Sequence, residues 1–218
     1  MPMTRRRLAF VAFAVFDVVL VGILAGLWVA RSNVLEDRAL SDLGVARIEQ
    51  SEPLDDFRLT DQYGRAFSLS NLEGKWQFIF FGFTSCPDIC PLTMRALNDF
   101  YRELEQTGWQ DDTGVIMVSV DPLRDTPEAM ADYLLSFDPT FIGLTGEYPE
   151  IAGLASQLFI AFSQPGDHET AHHEDGYAIA HSDYIALIDP AGRHHAILHS
   201  PHHSERLMQA YVALRDAD

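Results

Sequence analysis

An α/β layered domain behind a single membrane-spanning helix is the fold the sequence predicts, and three observations carry that prediction. Leu8 to Ala30 is a 23-residue apolar run interrupted only by Asp17. From Phe57 onward, short apolar segments of strand character alternate with segments whose apolar residues recur at helical spacing. Trp76 to Phe83 is almost wholly apolar and aromatic, a pattern expected of a strand covered on both faces of a sheet.

The apolar run is long enough to cross a bilayer and follows Arg5-Arg6-Arg7. It lacks the short apolar core and small-residue exit of a cleaved signal peptide, since Trp28 and Val29 stand at its end. An uncleaved anchor over 8–30 is expected, with residues 1–7 cytoplasmic and the main domain outside. Seven residues before the span are too few for a mitochondrial transit peptide. The expected location is therefore a bacterial inner membrane with a periplasmic domain, a compartment that permits disulfides. Asp17 would cost about 2.5–3.5 kcal/mol if unpaired at the bilayer centre, which suggests pairing with a partner helix. The net charge of -17 disfavours nucleic acid, whose affinity for proteins comes mainly from Lys and Arg on phosphates. An acidic surface of this kind serves solubility and favours a basic or cationic partner.

Residues 31–53 are polar and acid-bearing and read as a tether, leaving 54–218 as the globular domain. It opens with Phe57-Arg58-Leu59-Thr60 and Ala66-Phe67-Ser68-Leu69 around Asp61-Gln62-Tyr63-Gly64, a hairpin pattern. Asn71 to Gly74 is a turn. After the buried strand, Met94, Leu97, Tyr101 and Leu104 predict a helix from about Pro91 to Gln106. Val115 to Val120 is the next strand. Asp125-Thr126-Pro127-Glu128 caps a helix to about Leu135, followed by a strand over Phe141 to Leu144 and a helix from Pro149 to about Leu158. A long polar loop leads to a strand at Asp183 to Ile188, a turn at Asp189-Pro190-Ala191-Gly192, and a returning strand at His194 to Leu198. Ser200-Pro201 is expected to cap a last helix reaching about Leu214. The order β-α-β-α-β followed by β-β-α, after an N-terminal hairpin extension, is that of a thioredoxin-like layer fold.

The chain has two cysteines, Cys86 and Cys90, within Cys86-Pro87-Asp88-Ile89-Cys90-Pro91 where the buried strand gives way to a helix. Pro91 in the first turn would leave Cys90 near the N-cap, where free backbone N–H groups and the helix dipole favour a thiolate. Three readings of the pair stay open on these residues: a structural disulfide, a redox couple, or a metal clamp. Two thiolates suit Cu(I), and a third neutral ligand would complete a trigonal site.

Five separated blocks, in order, extend the pattern: Gly74-Lys75-Trp76; Phe81 to Pro91 around the cysteines; Ser119-Val120-Asp121-Pro122-Leu123-Arg124-Asp125-Thr126-Pro127; Gly143-Leu144-Thr145-Gly146; and His181-Ser182-Asp183-Tyr184. From about Pro53 to the C-terminus the sequence resembles the Sco/SenC copper-chaperone family. The resemblance implies a thioredoxin-like fold, membrane anchoring, and a copper ion bound by the two cysteines and the histidine of the last block, here Cys86, Cys90 and His181. It implies assistance in assembling the CuA centre of cytochrome c oxidase, by delivering copper, by reducing the receiving cysteines, or both. The implied partner is the copper-receiving subunit of the oxidase or another copper chaperone. One departure stands out: Ala180 occupies a position where the family usually has Asp, which removes a carboxylate that could orient the imidazole.

Beside the leading reading, a metallochaperone that passes copper by ligand exchange, stand a thiol-disulfide oxidoreductase using Cys86 and Cys90 as its redox pair and a copper or redox sensor. Three residues separate the cysteines where thioredoxin-type enzymes have two, and Thr84 is too close to Cys86 for the Pro-x-x-x-Thr-x-x-Cys pattern of a peroxidase. His168, His172 and His173 in the polar loop, and His194, His195, His199, His202 and His203 near the C-terminus, form two clusters able to capture copper transiently or simply to be solvated. Asp88 reads as a turn residue or a modulator of the metal charge, and Asp121 and Asp125 as mainly structural.

Overall fold

The computed structural model describes residues 5–49, 52–163 and 182–215. The chain divides into two compact units, Met1–Asp42 and Leu43–Asp218. The first is one helix, α1 (Arg5–Asp42). The side chains described within its apolar run, Phe16 and residues 18–28, are all exposed. Among the described residues, no helix is long and apolar enough to cross a membrane.

Residues 31–53 hold more regular structure than their composition predicts. α1 continues to Asp42, and β1 (Val45–Arg47) pairs antiparallel with the strand of residues 194–198. Val45 is buried there, so a short apolar contact and three ladder positions order a segment with no sustained periodicity.

The second unit is built on an eight-stranded mixed sheet. Its strands are β1, β2 (Leu59–Asp61), β3 (Ala66–Phe67), β4 (Trp76–Gly82), β5 (Thr113–Ser119), β6 (Ile142–Thr145), β7 (Ile185–Ile188) and β8 (His194–Leu198), in the spatial order β1-β8-β7-β4-β5-β6-β2-β3. The helices are α2 (Ile89–Glu103), α3 (Pro127–Leu134), α4 (Tyr148–Gln157) and α5 (Ser204–Arg215). Every residue of β4 is buried, as its unbroken apolar pattern requires of a central strand flanked by parallel β5 and antiparallel β7.

Register decides which face carries the helices. Trp76 and Phe78 meet Tyr211 of α5, and Phe78 lies 4.8 Å from the Phe100 ring of α2. Phe80 pairs with Met117 and Met117 with Gly143, so that face continues across to β6. At Gly143 an added Cβ would meet Leu134 and Met130 of α3 at 2.9 Å, so glycine there lets α3 lie close against β6. Helices α2, α3 and α5 thus share one layer.

Two turns use the same chemistry at opposite ends of the sheet. Asp61 accepts backbone N–H bonds from Tyr63 and Arg65 and pairs with the Arg65 guanidinium; Asp189 does the same with Ala191, Arg193 and the Arg193 guanidinium. Gly64 and Gly192 supply positive φ at the matching place in each. The last helix starts at Ser204, three residues after Pro201. The Ser200 hydroxyl expected to cap it instead donates to the Asp183 carboxyl, and the His202 ring bonds the Asp183 carbonyl at 2.7 Å.

Candidate metal centre

Parallel β4 and β5 release their chains at the same end of the sheet, where the loop to α2 and the loop to α3 converge. The β4 exit is held on both sides. Val120 N–H donates to the Gly82 carbonyl at 2.9 Å, and Cys86 N–H closes a turn on the Phe83 carbonyl at 3.2 Å. Asp125, with no exposed surface, accepts from the Thr84 N–H at 3.0 Å, from the Thr84 hydroxyl at 2.6 Å and from the Ser119 hydroxyl at 2.6 Å. Its neighbour Asp121 is equally buried and pairs with the Arg124 guanidinium, which lies over the Phe83 ring. Both carboxyls read as structural from sequence, and the structure gives Asp125 the specific task of fixing the loop before Cys86.

Helix α2 begins at Ile89, two residues earlier than the expected start near Pro91. Asp88 is the N-cap residue, exposed and without a side-chain capping bond, and Cys90 falls inside the first turn. Pro91 is tolerated there because first-turn N–H groups have no helical acceptor to lose. Cys86 is half-buried and Cys90 wholly buried, and neither is joined in a disulfide. The two side chains are neighbours: Cys86 is among the groups that act on the Cys90 thiol. The Cys90 sulfur packs against Gly82, where an added Cβ would sit 2.9 Å from Sγ. Glycine at the end of β4 therefore makes the space the sulfur occupies.

Sequence reasoning expected the helix start to favour a Cys90 thiolate. Burial reverses this. Desolvation pushes the thiol well above its ordinary range, Cys86 and Asp125 push the same way, and a hydrogen bond with the Phe83 backbone opposes them without prevailing. Burial therefore disfavours a thiolate at Cys90, and a negative charge on that sulfur calls for a compensating partner.

One residue at this site carries no sequence signal. Tyr133 of α3 is half-buried, its hydroxyl is covered and has no hydrogen-bond partner among the described residues, and the charges of Cys90, Cys86 and Asp125 act on it. Burial first, and these three groups after it, push the phenol above its usual range.

His181, Ala180 and the loop histidines His168, His172 and His173 lie outside the described residues. The chain that follows His181 is placed. Ser182 N–H donates to the Ala161 carbonyl at 2.8 Å, and Ile185 registers opposite Phe80, so β7 enters the sheet at the end where β4 leaves it. The C-terminal histidines do not act as one cluster. His194 is buried, with burial pushing it down to about 4, His195 packs edge-on against Trp76 at 5.0 Å, and His202 is engaged with Asp183, leaving His199 and His203 exposed. Among the described residues no group of three or more His, Cys, Asp or Glu side chains is placed to hold a metal. The described part of the candidate site is a pair of adjacent thiols, whose soft sulfurs fit Cu(I).

The family model described as SCO1/SenC matches residues 46–215. The protein named SCO2, mitochondrial, of Saccharomyces cerevisiae is 37% identical over 139 residues, covering 63% of this chain and 44% of the yeast protein. A putative copper-binding protein of Stutzerimonas stutzeri is 32% identical over 160 residues, 73% of this chain and 74% of that one. Among solved structures, Bradyrhizobium japonicum ScoI with copper bound superposes with a TM-score of 0.61 at 34% identity, over 76% of this chain and 99% of that one. The chain thus spans less than half the length of the yeast relative and about three quarters of the bacterial one.

Proposed function

The chain belongs to the SCO1/SenC family, and from that premise we propose that it is a membrane-anchored copper metallochaperone that assists assembly of the CuA centre of cytochrome c oxidase. Cys86, Cys90 and His181 hold one copper ion, and the chain passes it by ligand exchange to the copper-receiving oxidase subunit or to another copper chaperone. The observation that carries this reading is the pair of adjacent, reduced cysteines, with the Cys90 sulfur seated against Gly82 at the β4 exit. Copper-bound and copper-named relatives support the choice of metal. Loading requires the reduced pair, because a disulfide leaves no thiolate for the metal. Register supports the third ligand: β7 begins at Ile185, four residues after His181 in the chain, and enters the sheet at the end where β4 leaves it.

Residues 8–30 of α1 act as the anchor. Phe16, Val19, Ile23, Leu27 and Trp28 are more than half exposed, and a helix surrounded by such side chains is accommodated by lipid and not by water. The three arginines before it place the N-terminus in the cytoplasm of a bacterial cell and residues 43–218 in the periplasm.

A second reading, reduction of the acceptor's cysteines, draws on the unequal exposure of Cys86 and Cys90. The accessible sulfur would attack and the buried one resolve. Mixing the copper-loaded, reduced protein with an apo acceptor while following metal and thiols together separates the two. Metal transfer with the thiols retained is the chaperone outcome; thiol loss without metal transfer is the reductase outcome. One copper per reduced chain, lost on Cys86→Ser with Cys90→Ser and weakened by His181→Ala, is expected, and unchanged binding in those variants would overturn the site.

A further inference from the structure

We propose that the groove between α2 and α3 docks an acidic, extended segment of the copper-receiving partner, with Arg95 and Arg102 as its anchors. This rests on the copper-transfer reading above and deepens it by naming where the acceptor is held. The groove has a volume of about 530 Å³ and is lined by Pro91, Arg95, Asn98 and Arg102 of α2, by Tyr133 of α3 and by Phe137 just beyond it. It begins at Pro91, the residue after Cys90, so a segment lying in it is led to the cysteine pair.

The polar groups of this groove are not matched inside the fold. Arg95 and Arg102 are exposed, and among the described residues neither forms an ion pair or a side-chain hydrogen bond. Asp99, four positions from one and three from the other, also lines the groove and pairs with neither. Asn98 stands between them, 6% exposed, and its side-chain oxygen is covered and without a partner among the described residues. In a chain with 32 acidic residues against 15 lysines and arginines, two unpaired guanidiniums on one stripe of a helix run against the general surface charge and complement a negative partner.

Spacing selects the kind of anion. Seven residues of helix separate the two arginines by about 10 Å along its axis, and Asp99 places a negative charge between them. A single phosphate or carboxylate midway would sit against Asp99, whereas two carboxylates at that spacing each meet one guanidinium. An extended chain advances about 3.3 Å per residue, so acidic residues three positions apart provide the pair. The net charge of -17 repels a bilayer of anionic lipid, which leaves a protein segment as the occupant.

The probe is a synthetic peptide of eight residues, capped at both ends, with glutamates at its third and sixth positions. Its binding to the full-length protein in detergent is followed by fluorescence anisotropy at low salt. Replacing both glutamates by glutamine should weaken binding at least about fivefold, Arg95→Gln with Arg102→Gln should do the same, and Asp99→Asn should tighten it about twofold, the scale of exposed charge pairs. Arg58→Gln removes an equal charge from an exposed residue before β2, outside the groove, and should leave binding level. The double arginine variant should hold Cu(I) as tightly as wild type yet load the apo copper-receiving domain of the oxidase at least about fivefold more slowly, a difference that shrinks as salt is raised. Equal binding of the two peptides, or binding that survives the double substitution, overturns the groove as an acidic-segment site whatever becomes of the copper reading. Competition at equal concentration by inorganic phosphate, or by phosphatidylglycerol in the micelles, makes it a single-anion or headgroup subsite and also overturns it. Unchanged transfer in the double variant removes the acceptor as the occupant. A wild type that holds no copper overturns the copper reading and the acceptor with it, a failure told apart from the others by the peptide measurement, which needs no metal.

Discussion

Thr84 and Asp125 lie 41 residues apart in sequence and are joined twice, through the Thr84 backbone N–H and through its hydroxyl, to the two carboxyl oxygens of a side chain with no exposed surface. The pair ties the first residues beyond β4 to the loop beyond β5, and so holds the base of the cysteine loop in one place. Asp125→Ala leaves three donors unmet and is expected to cost about 3 kcal/mol in urea unfolding, while Thr84→Val costs about 1–2 kcal/mol. The double variant should fall short of the sum by more than 0.5 kcal/mol, the coupling expected of residues in one hydrogen-bond network. Strict additivity would mean that the two residues do not act as a unit.

Gly82 shows how a backbone position can set a metal site. A Cβ there would lie 2.8 Å from Phe80 Cε1, 2.9 Å from Cys90 Sγ and 3.3 Å from Met117 Cε, inside a strand whose residues are all buried. Gly82→Ala should therefore destabilise the fold by about 1–3 kcal/mol through overpacking and displace the Cys90 sulfur. Copper affinity is expected to fall by at least about tenfold, the scale of supporting-residue losses, in protein that remains folded by circular dichroism. Retention of full affinity would show that the sulfur position tolerates the shift.

The strand and helix order could be read in the sequence because each element satisfies a local rule. The apolar run of β4 has to be central, and Asp-x-x-Gly-Arg at 61–65 and 189–193 contains its own turn chemistry, an Asp that gathers N–H groups and a Gly that supplies positive φ. What stayed hidden depends on tertiary context. β1 owes its order to Leu198, Ile197 and Ala196 across the sheet, and Ser200 is diverted from its capping role by Asp183, which is 17 residues away. The cysteines stood out as the chain's only pair, but the protonation state of Cys90 follows from a burial that no spacing encodes.

The unequal burial of the two cysteines predicts unequal reactivity. Cys86 is partly accessible, whereas Cys90 is fully buried with its thiol held protonated by desolvation. Alkylation of the reduced, metal-free protein with iodoacetamide near neutral pH should label Cys86 at least about tenfold faster, since rate follows thiolate fraction and access. Peptide mass spectrometry over a time course reads this directly. Equal rates at the two sites would mean that the first turn of α2 opens readily and that burial does not protect Cys90.

His194 makes the fold sensitive to mild acid. It begins β8 with its side chain buried beside the Phe159 ring, and desolvation holds it at about 4 against 6.5 for a free histidine. Between those values the unfolded chain binds a proton that the folded protein refuses, so stability is fully present above about pH 7 and falls as pH drops from about 6.5 toward 4. The full difference amounts to about 3 kcal/mol. His202 is lowered by burial as well and adds to the loss with the same sign, while Asp112, lowered chiefly by its bond to Arg215, acts below its ordinary value of 3.8, beyond the lower end of this window. His194→Phe keeps an aromatic ring in the site and removes its titration. Urea unfolding of the metal-free protein at pH 7.5, 6 and 5 should show the variant losing clearly less stability than the wild type over that range, with the remainder belonging to His202 and other groups. Parallel loss in the two proteins would place the acid sensitivity elsewhere in the fold.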